Sequence, residues 1–142
     1  MRALSLHRPW GELIAAGLKR IETRDWWSLP KCLLGGRVAI HAAKKIDKAA
    51  ARRIEGVCRE LGIDPPEIGL SAGGVILCHA RVHAVTRLED TAWERSRALC
   101  ACWGLVGIHL TDVRRLRTPV PYRGHPRIFH VPDEVLGLEK PQ

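Results

Sequence analysis

The longest strand pattern in this chain runs from Val75 to Leu88, and it constrains the fold more than any other segment. Its small or apolar residues alternate with basic ones: Ile76, Cys78, Ala80, Val82 and Ala84 against His79, Arg81 and His83. Because successive side chains of a strand point to opposite faces, one face is apolar and the other basic. We expect the apolar face to pack on a core and the basic face to be the outer one.

The beginning of the chain predicts a strand, a helix and a second strand within a short segment. Residues 2–6 alternate, with Leu4 and Leu6 on the inward side. Pro9 suits the first turn of a helix and Gly17 suits its end. The residues from Arg20 to Trp26 then form the second predicted strand.

This second predicted strand carries an unusual set of side chains on one face. Period two places Glu22, Arg24 and Trp26 together, and Lys19 comes from the turn before them. A cation, an anion and an indole on one face are typical of a binding site. A salt-bridged strand face exposed to solvent is the simpler alternative.

The remaining segments predict short elements. Residues 37–42 and 103–110 alternate as strands, and Asp47 is placed to cap a helix that reaches Leu61. Thr91 and Glu94 have the spacing of a capping box for a further short helix. Beyond residue 110, prolines alternate with arginines, which predicts short edge strands and loops.

Together these elements predict an α+β fold. Six or seven strands with two or three short helices suggest a small mixed β-barrel of about six strands, with the helices at its ends. No continuous βαβ repeat is present, which argues against a doubly wound sheet. The chain has 142 residues without a linker, so we expect one domain over residues 1–142.

Positive charge is clustered along the chain, whose net charge is +8. The stretch from Val113 to Pro132 contains five arginines and no acidic residue, and the stretch from Arg37 to Arg59 is also basic. Clustered positive charge is typical of a protein that binds a polyanion. We therefore expect nucleic acid, either DNA or RNA, as the partner.

Several other classes have little support in the sequence. The chain has no run of 18 apolar residues, so no membrane helix is predicted, and the first residues lack the pattern of a signal peptide. The five cysteines have no paired spacing, which predicts reduced thiols and a cytoplasmic location. Cys100 and Cys102 lack a second pair, and no glycine pair precedes a phosphate-binding lysine, so we expect neither metal nor cofactor.

The candidate nucleic-acid-binding residues are cationic or aromatic. Arg24 can bind a phosphate through two hydrogen bonds, whereas Lys19 and Lys44 act as point charges. Trp26 or Trp10 offers a ring face for a base, although core packing is the alternative for Trp10. The full set is His7, Trp10, Lys19, Arg24, Trp26, His41, Lys44, Lys45, Arg114, Arg115, Arg117, Arg123 and Arg127.

Three groups of motifs resemble ASCH domains, small modules named after a transcriptional coactivator's homology region. They are Leu4-Ser5-Leu6-His7-Arg8-Pro9-Trp10 with Gly17-X-Lys19-X-X-Glu22-X-Arg24-X-Trp26, then residues 36–45 with 74–76, and finally residues 121–129. The last resembles the coactivator-type members. The resemblance implies a PUA-like β-barrel whose cleft, beside the first helix, binds RNA or another nucleic acid.

The resemblance also implies an alternative activity, because some ASCH members are small hydrolases. Lys19 matches the catalytic lysine of the amidohydrolase subgroup, but Glu22 stands where that subgroup has a threonine nucleophile. The neighbouring Thr23 points to the opposite strand face. We therefore expect binding without catalysis, and the alternative is a hydrolase of RNA or a modified nucleoside with Lys19 and Glu22 as catalytic groups. A protein-interaction module has the least support, since no patch of exposed aromatics is predicted.

Overall fold

The computed structural model describes residues 1–138. Its strands are β1 (Arg2–Arg8), β2 (Ile21–Arg24), β3 (Arg37–Ile46), β4 (Val75–Arg87), β5 (Val106–Pro121) and β6 (Ile128–His130). Its α-helices are α1 (Trp10–Ala15), α2 (Ala50–Leu61) and α3 (Ala92–Ala98), and two short 3₁₀ turns cover Lys31–Leu33 and Asp133–Leu136. No helix within residues 1–138 is long and apolar enough to cross a membrane.

The six strands form one mixed sheet in the order β2-β5-β4-β3-β1-β6. Strands β1 and β3 are parallel, and every other neighbouring pair is antiparallel. The predicted α+β class, the strand number and the three helices are confirmed. The sheet ends at β2 and β6 without closing, so the fold is barrel-like and not a closed barrel.

Strand β5 differs most from the prediction of short edge strands and loops. It is continuous over residues 106–121 and lies between β2 and β4. Strand β2 pairs only with residues 106–109 of β5. The prolines at 119 and 121 therefore lie where β5 has a partner on one side, and a missing N–H is tolerated there.

The alternation of β4 is confirmed on its apolar side but not along the whole basic side. Ile76, Cys78 and Val82 are fully buried in the core. His79 is only 5 % exposed, so the prediction that it belongs to a basic outer face is wrong. Its Nδ1 atom accepts a hydrogen bond of 2.7 Å from Arg37, whose guanidinium lies over this part of the sheet.

Local chemistry explains the helices and corrects two predicted boundaries. The capping box of α3 is present, with Thr91 and Glu94 bonding each other's backbone N–H groups. Helix α2 begins after Ala49 and not after Asp47, although the Asp47 carboxylate accepts the Ala49 N–H at 3.0 Å. Strand β2 ends at Arg24, so Trp26 lies in the following loop.

Candidate functional site

A cleft of about 800 Å³ lies where β1 and β3 meet the segment after β5. The cationic residues along its wall are Arg24, Lys44, Arg123 and Arg127, with three histidines, His7, His41 and His125. The rest of the lining is uncharged: Ser5, Ala43, Gly74, Tyr122, Gly124 and Pro126. Among residues 1–138, therefore, no carboxylate lines this cleft, and the charges on its wall are all positive.

Ser5 and His41 form the floor of the cleft. They are partners across the parallel pair β1 and β3, and their side chains form a hydrogen bond of 2.8 Å. His41 Nε2 lies 2.7 Å from the Tyr122 carbonyl oxygen, so Nε2 carries the proton and Nδ1 accepts the hydroxyl hydrogen of Ser5. Burial lowers the pKa of His41, with a smaller contribution in the same direction from nearby His125. The imidazole is therefore neutral at pH 7.

Gly124 lies so close to this pair that a larger residue would collide with it. A Cβ atom at residue 124 would be 2.7 Å from His41 Cε1 and 2.8 Å from Ser5 Oγ. The segment after β5 therefore packs directly on the floor of the cleft. The glycine is required because of this close approach and not because of its backbone torsion.

Arg24 is held in place by two partners. Its Nε atom donates to Glu22 Oε2 at 3.0 Å, and Nη2 donates to the Ser5 carbonyl oxygen at 2.9 Å. The shared strand face predicted for Glu22 and Arg24 explains the first contact. Glu22 therefore orients the guanidinium at the cleft wall.

Lys19 supports this arrangement from a buried position. It is 1 % exposed, and its Nζ atom donates to the Ala98 carbonyl oxygen at 2.5 Å. The ammonium also lies 3.8 Å from Glu22 Oε1 and 4.8 Å from the centre of the Trp10 ring. Its position links the turn after α1 to the end of α3.

A second, smaller cavity of about 250 Å³ adjoins the cleft at Arg24. Lys19, Glu22 and Trp10 line it, and it shares Arg24 and other residues with the large cleft. Trp10 is half-buried against the core and donates its indole N–H to Asp47 at 2.9 Å. The core-packing alternative for Trp10 therefore matches its surroundings.

Trp26 lies beside two cations of the cleft wall. The guanidinium carbons of Arg24 and Arg127 are 5.6 and 5.5 Å from the centre of its ring. These are cation–π distances, so the indole fixes both guanidinium groups. Lys44, Arg123 and Arg127 have no ion-pair partner within the described part of the chain, which leaves their charge available.

The structure brings together only part of the predicted set of binding residues. Among the arginines after residue 113, Arg123 and Arg127 line the cleft, whereas Arg114, Arg115 and Arg117 are exposed along β5 and do not. Lys45 is also exposed but, unlike Lys44, does not line the cleft. Within residues 1–138, no group of three His, Cys, Asp or Glu side chains is placed to hold a metal ion.

Sequence reasoning missed several residues of the site. Ser5 was given no role, although strand period two places it on the same face as His7. Tyr122, Gly124 and His125 carried no such signal, because their position beside His41 depends on how the end of β5 meets β3. Two tryptophans to which the sequence assigns no role, Trp27 and Trp103, are 98 % and 75 % exposed.

Comparisons with known proteins agree with the fold. A model of the ASCH domain family matches residues 4–129. The crystal structure of ASCH from Zymomonas mobilis is 16 % identical, covers 96 % of this chain and 90 % of that chain, and gives a TM-score of 0.58. A serine-to-alanine mutant of that protein is 14 % identical, with coverages of 96 % and 91 % and a TM-score of 0.56. No curated protein matches the sequence significantly. At these identities the solved structures show a shared fold.

Proposed function

The chain belongs to the ASCH domain family, whose domains are generally RNA-binding, and we propose that it is a nucleic-acid-binding module. Its ligand is DNA or RNA, bound in the basic cleft with little dependence on sequence. RNA is the first probe to test, because ASCH domains are generally RNA-binding. We further propose that one domain spans the chain and that it acts in the cytoplasm, which agrees with its five free cysteines.

One observation carries this proposal: the cleft has four cationic side chains on its wall and no carboxylate. Glu22 pairs with Arg24, but Lys44, Arg123 and Arg127 keep their charge for a ligand. Phosphate groups match such a surface in charge and in hydrogen-bonding capacity. Because phosphates are the same in every sequence, contacts of this kind bind without reading bases.

The placement within the family rests on the sequence motifs. Residues 121–129 favour the coactivator-type members, and six residues of that stretch, numbers 122–127, line the cleft. This supports a ligand-binding role for the closing motif. The subtype itself stays a prediction from the motif alone.

Hydrolysis by Lys19 and Glu22 is the weaker candidate. The Lys19 amine is 1 % exposed and donates to the Ala98 carbonyl oxygen, so its surroundings favour a structural role. Glu22 is occupied by Arg24 and by the Thr23 N–H. Neither group is free for a substrate in this arrangement, and we therefore favour binding.

Salt dependence tests the proposal directly. We expect wild-type protein to bind fluorescein-labelled single-stranded RNA, with log K falling linearly against log salt concentration. Each lost phosphate contact lowers the slope by about 0.7 for single strands. The double variant Lys44→Gln, Arg123→Gln removes two exposed cations of the cleft wall, so its slope should be smaller by roughly 1.4.

The control variant removes the same charge elsewhere. Lys45 and Arg117 are exposed and lie outside the cleft, so Lys45→Gln, Arg117→Gln should leave the slope as in wild type. Equal slope changes in the two double variants would mean that net charge alone attracts RNA, and would contradict a cleft-bound ligand. Absence of binding by wild type at low salt would overturn the function itself.

A further inference from the structure

Two tryptophan side chains are largely exposed to solvent. Trp27 is 98 % exposed and Trp103 is 75 % exposed, and neither belongs to a core cluster of the described residues. Tryptophan is on average a highly buried residue, because its large ring gains from leaving water. Large exposed rings at two places therefore indicate a surface that another molecule covers.

One guanidinium group joins the two segments that carry these rings. Arg87 Nη1 donates to the carbonyl oxygens of Trp26 at 2.9 Å and Gly104 at 3.3 Å, and Nη2 donates to the Trp27 carbonyl at 2.8 Å. The backbones of residues 26–27 and 103–104 are thus fixed side by side at the end of β4. All three acceptors are uncharged, so the positive charge of Arg87 remains beside the two rings.

The segment that carries Trp27 is also in contact with residues of the cleft. Trp27 directly follows Trp26, whose ring contacts the cleft residues Arg24 and Arg127. Trp27 is therefore one residue away from a side chain that contacts two residues of the cleft wall. Arg87 in turn joins the backbone of Trp27 to that of Gly104, the residue after Trp103.

We propose that Trp27 and Trp103, here called the indole platform, bind unpaired bases of a single-stranded nucleic acid whose phosphates occupy the cleft. The proposal rests on the proposed function and names the form of its ligand. Aromatic rings stack on bases of any identity, and a guanidinium nearby adds to the attraction. Bases in a duplex are stacked on one another, so the platform favours single strands.

Acidic groups near the platform also affect how strongly an oligonucleotide binds. Asp25 is exposed between Arg24 and Trp26, and its charge opposes a phosphate. Asp90 lies near the other segment, but its carboxylate accepts the Cys102 N–H at 2.9 Å and pairs with Arg95. Asp25→Asn should therefore tighten binding of any oligonucleotide that occupies both the cleft and the platform.

The experiment uses two oligonucleotides of equal charge: oligouridylate of about 12 nucleotides and an abasic sugar–phosphate of the same length. For the double variant Trp27→Ala, Trp103→Ala we expect affinity for oligouridylate to fall by about tenfold or more, from loss of base stacking. Affinity for the abasic strand should stay as in wild type. The variant Trp27→Phe, Trp103→Phe should keep most of the affinity, because a stacking ring remains.

Trp93 provides the matched control. It is 53 % exposed on α3, where its ring stacks on His109 and contacts the Arg97 guanidinium. It neither lines the cleft nor belongs to the two segments that Arg87 joins, so Trp93→Ala should change neither affinity. Equal weakening of both oligonucleotides in the double alanine variant would overturn the platform. So would unchanged oligouridylate binding, or a change in self-association measured by analytical ultracentrifugation, since the rings would then cover a second copy.

The outcomes also separate the platform from the cleft. If wild type binds both oligonucleotides equally well, the result supports binding in the cleft and overturns the platform. Wild type that binds neither at low salt overturns both proposals. If wild type binds oligouridylate more strongly than the abasic strand, and the double alanine variant loses this difference, both proposals are supported.

Discussion

At the scale of single residues, Glu22 determines the geometry of the cleft wall. Its carboxylate accepts from Arg24 Nε and from the Thr23 N–H, both at 3.0 Å, and it faces the Lys19 ammonium at 3.8 Å. The Arg24 and Lys19 side chains and the Thr23 backbone thus all depend on one acid. Its role is to position Arg24 while compensating the buried charge of Lys19.

Neutralising Glu22 should therefore destabilise the fold. In Glu22→Gln the Lys19 ammonium stays buried without a counter-charge, and we expect the free energy of unfolding to fall by roughly 3 kcal/mol. Urea denaturation measures this. Asp112→Asn is the control, because that carboxylate pairs with Arg37 and Arg114 at the surface and its loss should leave the midpoint nearly unchanged. Equal midpoints for the two variants would contradict the role of Glu22.

At the scale of elements, α3 supports the site although it contributes no residue to the cleft. The carbonyl oxygens of its last turn accept from two residues of the turn before β2: Ala98 O from Lys19 Nζ and Arg97 O from the Arg20 N–H at 2.8 Å. These carbonyls have no partner within the helix, so the contacts satisfy them. The helix thereby holds the beginning of β2, where Glu22 and Arg24 lie.

Weakening the N-terminus of α3 should accordingly lower stability. In Thr91→Ala the capping box is lost, and we expect a loss of about 1 kcal/mol in the free energy of unfolding. Chemical denaturation followed by circular dichroism gives the value. Ser96→Ala removes a hydroxyl that bonds the Trp93 carbonyl oxygen within the same helix and should cost less. A Thr91→Ala protein as stable as wild type would show that the cap contributes nothing here.

At the scale of the whole molecule, buried neutral histidines make stability depend on pH. Burial is the largest cause of a lowered pKa at His41, His79 and His109. In the unfolded chain these groups have their ordinary pKa of 6.5. Below that pH the unfolded state binds protons that the folded state resists, so the free energy of unfolding falls as pH decreases through and below 6.5.

Urea denaturation between about pH 7.5 and about pH 5.5 checks this expectation, since carboxylates are ionised over most of that range. Replacing one buried group, as in His41→Gln, should reduce the slope of stability against pH. His130→Gln, at an exposed position of β6, should leave it unchanged. A wild-type stability that stays constant or rises toward pH 5.5 would contradict the assignment of neutral histidines.

The sequence predicts the individual strands and helices better than it predicts the contacts between them. Alternation at Val75–Leu88 and the Thr91–Glu94 spacing gave a strand and a helix that the structure confirms. The length of β5 could not be predicted, because its prolines are tolerated only where β2 stops pairing. Likewise, the shared face of Glu22 and Arg24 follows from local periodicity. The approach of Gly124 to His41 depends on chain segments that are far apart in sequence.

Arg24 lines both the large cleft and the small cavity beside Lys19, as Ser5 and His7 also do, so its side chain is part of a border that the two spaces share. A truncation at this position would do more than remove a charge: it would also enlarge both spaces that the side chain lines. The change of volume and the change of charge would then be inseparable in any binding measurement. Lysine, which preserves both length and charge while giving up the paired hydrogen bonds, is the substitution that isolates what the guanidinium contributes.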